Sequence, residues 1–212
     1  MKEYYRRHLP HWQPQGAIFF VTFRLKGSLP YNLIESLRAH REREKLTLNR
    51  LPEAERAKQD YMDEQRSFGR WDEFLDKGEF GPHWLSNPEI AGIVKEAFHF
   101  RDGKVFDLYA FCIMANHVHA VFEPSRSDCQ SDLPDLPLQK IMQSLKRHTA
   151  RQANLILGRE GAFWQDESYD HVVRDQAEFL RILSYVLENP IKAGLVSRWE
   201  EWPWTYCRPG LL

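Results

Sequence analysis

Residues 107–122 hold two runs of strand-favouring residues, Asp107 to Met114 and His117 to Phe122, separated only by Ala115-Asn116. Two such runs with so short a connection read as a β-hairpin, which commits the chain to at least one antiparallel strand pair. Side chains alternate faces along a strand, so Val118, Ala120 and Phe122 share one face while His117 and His119 share the other. The first set is a core face. The second puts two imidazoles side by side. Imidazole ligates several divalent transition metals, but two ligands rarely hold a catalytic ion alone, so a metal reading requires a third ligand elsewhere. The same spacing also fits two ordinary histidines on a half-exposed strand, and the pair alone does not separate these readings.

Ala17 to Arg24 is rich in aromatic and β-branched residues, closes at Gly27 and Pro30, and reads as a central strand. From Tyr31 to about Asp76 the chain is charged and helix-favouring. Leu33, Ile34 and Leu37 fall at helical spacing and Pro52 is a break, so a helical insertion is expected at 31–80. Asn87 as N-cap with Pro88 as first residue starts the next helix. Ser125 to Pro137 is a polar, proline-bearing loop. Leu138 to Leu157 is a basic helix with Ile141, Leu145, His148 and Gln152 as its imperfect inner stripe. Trp199, Trp202 and Trp204 are expected to pack a C-terminal tail, 197–212, back onto the rest.

Between Phe179 and Asn189 the apolar residues Phe179, Ile182, Leu183, Val186 and Leu187 recur at helical spacing, and Pro190 disfavours continuation beyond Asn189. Tyr185 and Asn189 stand four residues apart on one flank of that stripe, so the amide oxygen could reach a metal beside the phenol. The alternative is a boundary tyrosine followed by an asparagine at the helix end. Tyr169 is a rival for any tyrosine chemistry because Asp170 and His171 follow it, yet its fourth successor is Val173, which ligates nothing.

The net charge of −1 conceals an uneven distribution. Residues 138–159 sum to +5 and residues 1–29 to +4, whereas Glu53 to Glu79 carries nine acidic against five basic residues. Basic faces on a nearly neutral protein suit a polyanion, and solvated helix faces would give the same counts. A 42% hydrophobic content supports a real core, and 212 residues suit one domain with an elaboration. The absence of an apolar leader or a long apolar run points to the cytoplasm. Cys112, Cys129 and Cys207 are odd in number and scattered, which argues against a disulfide framework and for a reducing compartment.

Six segments occur together and in order: Gly81-Pro82-His83-Trp84-Leu85; Met114 to His119; Ser144 to Arg151; Phe163 to Arg174; Tyr185 to Val196; and Trp202-Pro203-Trp204. On these the chain resembles the REP-associated tyrosine transposases, relatives of the single-strand insertion-sequence transposases in the His-hydrophobe-His nuclease superfamily. The resemblance implies one α+β domain over 1–212, with a ferredoxin-like antiparallel sheet packed with helices. It implies a divalent ion, Mg²⁺ or Mn²⁺, held by His117 and His119, with Tyr185 as the nucleophile. Asn189 is expected as the third ligand, at a position where insertion-sequence relatives carry the longer glutamine. The implied substrate is single-stranded or hairpin DNA, cleaved and rejoined through a 5′-phosphotyrosine. Lys146, Arg147, Arg151, Arg174 and Lys192 are the expected phosphate contacts, and Trp164 a base-stacking residue. A nucleoid-associated monomer or homodimer without membrane contact follows. Two other classes stay open: a metal nuclease using water, with Tyr185 structural, and a noncatalytic hairpin-binding or regulatory protein.

Overall fold

The computed structural model describes residues 16–125 and 138–211, together with the backbone of two short paired strands, β1 (Tyr4–Arg6) and β2 (Pro10–Trp12). Of the expected loop from Ser125 to Pro137, residues 126–137 with Cys129 lie outside the described residues, as do 1–3, 7–9 and 13–15 of the basic N-terminal stretch.

Five strands make one antiparallel sheet: β3 (Phe19–Arg24), β4 (Phe106–Ile113), β5 (His117–Pro124), β6 (Tyr169–Val172) and β7 (Thr205–Cys207), in the order β6-β3-β5-β4-β7. The connections β3-α3-β4-β5-α4-β6, with α3 at Pro88–Arg101 and α4 at Leu138–Ile156, give the split βαβ pattern of a ferredoxin-like α+β fold. β7 comes from the expected tail and adds a fifth strand by pairing with β4. Trp202 donates its indole N–H to the Ile113 carbonyl at 3.0 Å, which locks that return in place.

The sheet has two differently furnished faces. Phe19, Val21 and Phe23 of β3, with Val118, Ala120 and Phe122 of β5, pack beneath α3 and α4. The intervening Phe20 and Val121 face the opposite way, against α5 (Gln176–Lys192). Period-two alternation thus assigns each histidine of β5 to the α5 side, as the sequence pattern requires. The inner stripe of α4 runs through Ile141, Met142, Leu145, Thr149 and Ala153. His148 is exposed, which corrects the expected stripe: the buried arc lies one residue away, because Thr149 can satisfy its hydroxyl on the Leu145 carbonyl at 2.9 Å.

Between β3 and α3 the chain forms two helices, α1 (Tyr31–Leu48) and α2 (Glu53–Lys77). Their mutual contacts are largely ionic: Arg41 meets Asp60 at 2.5 Å and Arg70 meets Glu44 at 2.8 Å. Gly78 ends α2 in the left-handed conformation. Gly81 then passes so close to the turn after β3 that a Cβ would lie 2.1 Å from the Gly27 carbonyl oxygen, so only glycine fits there. That close approach fixes where α2 leaves the sheet and α3 begins.

One boundary differs from expectation. α5 does not stop at Asn189 but runs to Lys192 with Pro190 inside it. Proline forfeits one hydrogen bond, yet the turn is closed around it: the Ala193 amide reaches the Asn189 carbonyl at 3.0 Å and the Leu195 amide reaches Pro190 at 2.9 Å.

Candidate metal centre and nucleophile

β5 presents His117 and His119 to the face covered by α5 and α2, and neither ring is exposed to solvent. They are not half-exposed strand histidines. Their Nε2 atoms stand 3.0 Å apart. Behind them, His117 Nδ1 lies 2.6 Å from Asn116 Oδ1, and His119 Nδ1 lies 2.7 Å from Thr22 Oγ1. Asn116 is itself buried, and its amide nitrogen donates to the Leu75 carbonyl at 3.0 Å, leaving its oxygen as the acceptor for His117. His117 is therefore protonated on Nδ1 and directs the lone pair of Nε2 into the site. Partners of this kind on the far ring nitrogen are what orient metal-binding histidines.

Two carboxylates reach the pair from α2. Asp72 Oδ1 is 3.4 Å from His119 Nε2 and Asp76 Oδ1 is 3.5 Å from His117 Nε2. Asp72 is 2% exposed, and among the described residues neither of its carboxylate oxygens has a hydrogen-bond partner. Asp76 Oδ1 and the side-chain oxygen of Asn189 are also buried without one. Asp72, His117 and His119 each offer a ligand atom, all within 4.8 Å of one another; among the described residues no other such cluster occurs. Buried acceptors are normally paired, so the orphaned Asp72 carboxylate beside the two imidazoles suits a cation.

The electrostatics agree. Burial pushes His117 down to about 3, and burial, then the neighbouring His117 and Lys192, holds His119 well below the usual imidazole range. Both are thus neutral, the form that ligates metal. Burial followed by repulsion from Asp76 raises Asp72 well above the carboxylate range, and burial raises Asp76 to about 6 against the pull of Lys192. A divalent ion reverses that penalty on the carboxylates.

Tyr185, half-buried on α5, has its ring centre 5.6 Å from that of His119, and the Lys192 ammonium sits 4.9 Å over the phenol ring. Asn189 is wholly buried and donates to the Tyr185 carbonyl at 3.4 Å. The structure thus brings His117, His119, Tyr185 and Lys192 into one neighbourhood, with Asn189 one turn from the tyrosine. Tyr169 is placed differently: it stacks on Phe68 of α2 at 4.2 Å, and burial raises its hydroxyl well above the ordinary phenol range.

The expected DNA contacts scatter. Arg147 and Arg151 are exposed on α4, which covers the sheet face opposite the histidines. Lys146 donates to the carbonyls of Gln165 and Asp166 at 2.9 and 3.1 Å, tying α4 to the segment before β6. Arg174 stacks over the Tyr61 ring at 3.5 Å. Trp164 corrects the base-stacking expectation. It is 6% exposed, meets Phe23 edge-on at 4.8 Å and donates its N–H to Thr149 at 2.9 Å, so it has no face free for a base. Sequence reasoning missed Thr22, Asp72 and Asp76 and saw Asn116 only as a turn residue; the i, i+4 spacing of two aspartates on either side of Leu75 is the one local signal for α2.

A Haemophilus influenzae protein bearing the name "Putative REP-associated tyrosine transposase" is 28% identical over 102 residues, 47% of this chain and 58% of that protein. The chain resembles the REP-associated tyrosine transposases. A second protein of the same organism, named only as uncharacterized, is 29% identical over 99 residues, 38% of this chain and 52% of its own length. The chain thus spans little more than half the length of these curated relatives. A solved REP-associated tyrosine transposase, described as bound to a REP hairpin, superposes with a TM-score of 0.47 at 15% identity, covering 95% of this chain and 80% of that one. No family model matches the chain. Among the described residues, no helix is long and apolar enough to cross a membrane.

Proposed function

We propose that the chain is a metal-dependent transposase-type endonuclease that cleaves and rejoins single-stranded hairpin DNA, with Tyr185 as nucleophile. One observation carries this: two neutral imidazoles and a buried, unpartnered carboxylate converge beside a tyrosine on the helix that covers them. His117 and His119 would hold the ion, with the Asn189 side-chain oxygen as an oxygen donor and Asp72 as a further one while α2 is seated. Imidazole favours a transition ion and the oxygen donors a hard one, so Mn²⁺ fits this mixed set better than Mg²⁺. When bound, the ion orients a nonbridging oxygen of the scissile phosphate and offsets charge as it develops there.

The remaining work falls to side chains. Asn116 and Thr22 hold the imidazoles in register. Tyr185 Oη attacks phosphorus as the phenol loses its proton; the Oη–P bond forms, the P–O3′ bond breaks, and the departing 3′-oxygen takes up a proton. The Lys192 ammonium over the ring favours the negative oxygen during attack. Attack by another 3′-hydroxyl on the 5′-phosphotyrosine reverses the step and rejoins the strand, with no high-energy cofactor. The exposed Arg147 and Arg151, on the other side of the sheet, suit the phosphates of a hairpin stem rather than the cleavage site.

Incubation with a labelled single-stranded hairpin and Mn²⁺ or Mg²⁺, followed by a denaturing gel, tests the reading. The wild type and Tyr169→Phe should give a covalent protein–DNA band and Tyr185→Phe none. A band that survives Tyr185→Phe overturns the assignment. The second reading is a hairpin-binding protein that does not cleave, favoured by the complete burial of both imidazoles beneath α2. It predicts gel-shifted hairpin with no band in any variant.

A further inference from the structure

α2 lies over the catalytic face, and its hold there is unlike that of a core helix. Phe68 is wedged between Phe20 at 5.4 Å and Tyr185 at 6.2 Å. It also stacks on Tyr169 of β6 at 4.2 Å, and around it lie several polar ties to the sheet and α5. Tyr61 donates to the buried Glu178, which also accepts from His171; Asn116 holds the Leu75 carbonyl; Asp72 and Asp76 face the histidines. Beside these ties a cavity of about 400 Å³ opens between α1, α2, β3 and the 165–170 segment, with Thr22, Trp71 and Asp72 in its wall. While α2 is seated, the imidazoles have no solvent-accessible surface, so no phosphodiester can touch them.

We infer that the α1–α2 hairpin is a lid clasped by the metal itself: Asp72 ligates the ion from α2 while His117 and His119 ligate it from β5, so one ion ties the lid to the sheet. This rests on the proposed metal role of the two histidines. Two observations beyond that role support it. Both oxygens of Asp72 are buried without a hydrogen bond, a placement that costs free energy in the closed state unless a cation meets them. The carboxylate also comes from α2, which belongs to the insertion between β3 and α3 rather than to the sheet or α5 that carry the histidines and Tyr185. A ligand that binds the closed form better than the open form shifts the population toward closure, so ion binding and lid closure must be coupled.

The test uses Mn²⁺ alone, by titration calorimetry and by amide hydrogen exchange of α2, on wild type, Asp72→Asn and His117→Ala. Asp72→Asn is nearly isosteric and removes an unpaired charge, so it leaves the fold in place. Wild-type α2 amides should exchange several-fold more slowly with Mn²⁺. In Asp72→Asn the Mn²⁺ affinity should fall at least tenfold and the ion-induced protection of α2 should vanish. Wild-type affinity in Asp72→Asn, or α2 exchange indifferent to Mn²⁺ in the wild type, overturns the clasp. His117→Ala separates the two levels: if it also binds Mn²⁺ as the wild type does, the metal centre itself is wrong, whereas loss of binding there with none in Asp72→Asn refutes the clasp alone.

Discussion

In the absence of divalent ions, Asp76→Asn should stabilise the protein, although it removes a residue of the candidate site. The Asp76 side chain is about a quarter exposed, its Oδ1 has no hydrogen-bond partner, and burial lifts its pKa from 3.8 to about 6. A shift of that size corresponds to about 3 kcal/mol against the folded state at neutral pH. Water reaching the exposed part of the carboxylate reduces this, so a gain of about 1–2 kcal/mol is expected, or roughly 2–8 °C in Tm for a chain of this length. The sign follows from proton linkage. The folded carboxyl holds its proton to higher pH than the unfolded one, so the penalty is absent below the unfolded value of 3.8, grows as pH rises through the interval to about 6, and is constant above it. Thermal unfolding by circular dichroism in EDTA at pH 7.5 should therefore show the gain, and most of it should be lost by pH 4.5. An equal gain at both pH values, or a loss in EDTA at pH 7.5, would refute the account of Asp76 as an uncompensated carboxylate.

Thr22→Val keeps the strand-favouring shape but removes the oxygen that orients His119 Nδ1, so Mn²⁺ affinity by calorimetry should drop roughly ten- to a hundredfold with little change in Tm; unchanged affinity would mean that Thr22 does not set the ring. Trp164→Ala should cost about 3–5 kcal/mol in urea unfolding, because a buried indole and its bond to Thr149 are lost. A stable variant that only loses hairpin affinity would restore the base-stacking role.

How much of this was legible before folding depended on the range of the interaction. The hairpin around Ala115-Asn116 and the opposite faces of Val118 and His119 follow from period-two alternation, a property of adjacent residues, and they stand in the structure where the pattern puts them. The tyrosine helix was legible for the same reason, except for its last turn, where Pro190 is tolerated because later amides close the carbonyls around it. Trp164 was not legible: an aromatic in an irregular segment looks alike whether it meets a base or Phe23. Asp72 was the hardest. It belongs to a helix so rich in charge that every aspartate reads as solvated, and only docking against a strand more than forty residues further on reveals which are buried.

That asymmetry bears on what the centre is. In the family resembled, the third ligand is expected from the tyrosine helix, so that one element carries both the nucleophile and the last donor. Here the Asn189 oxygen is buried without a hydrogen-bond partner among the described residues, while Asp72 brings a charged oxygen from α2 to 3.4 Å from His119 Nε2. A carboxylate is the stronger donor for a hard divalent ion, and the neutral amide is the weaker. On the lid reading, Asp72 would hold the ion only while α2 is seated, and His117 and His119 would hold it whether α2 is seated or lifted. On this view Asn189→Ala should lower ion affinity less than Asp72→Asn does when DNA is absent. The order should invert once a single-stranded hairpin is bound, because Asn189 then remains on the tyrosine helix and Asp72 does not remain at the centre. Mn²⁺ titrations of the two variants with and without hairpin oligonucleotide measure both orders, and the same ranking in both conditions would show that Asp72 never leaves.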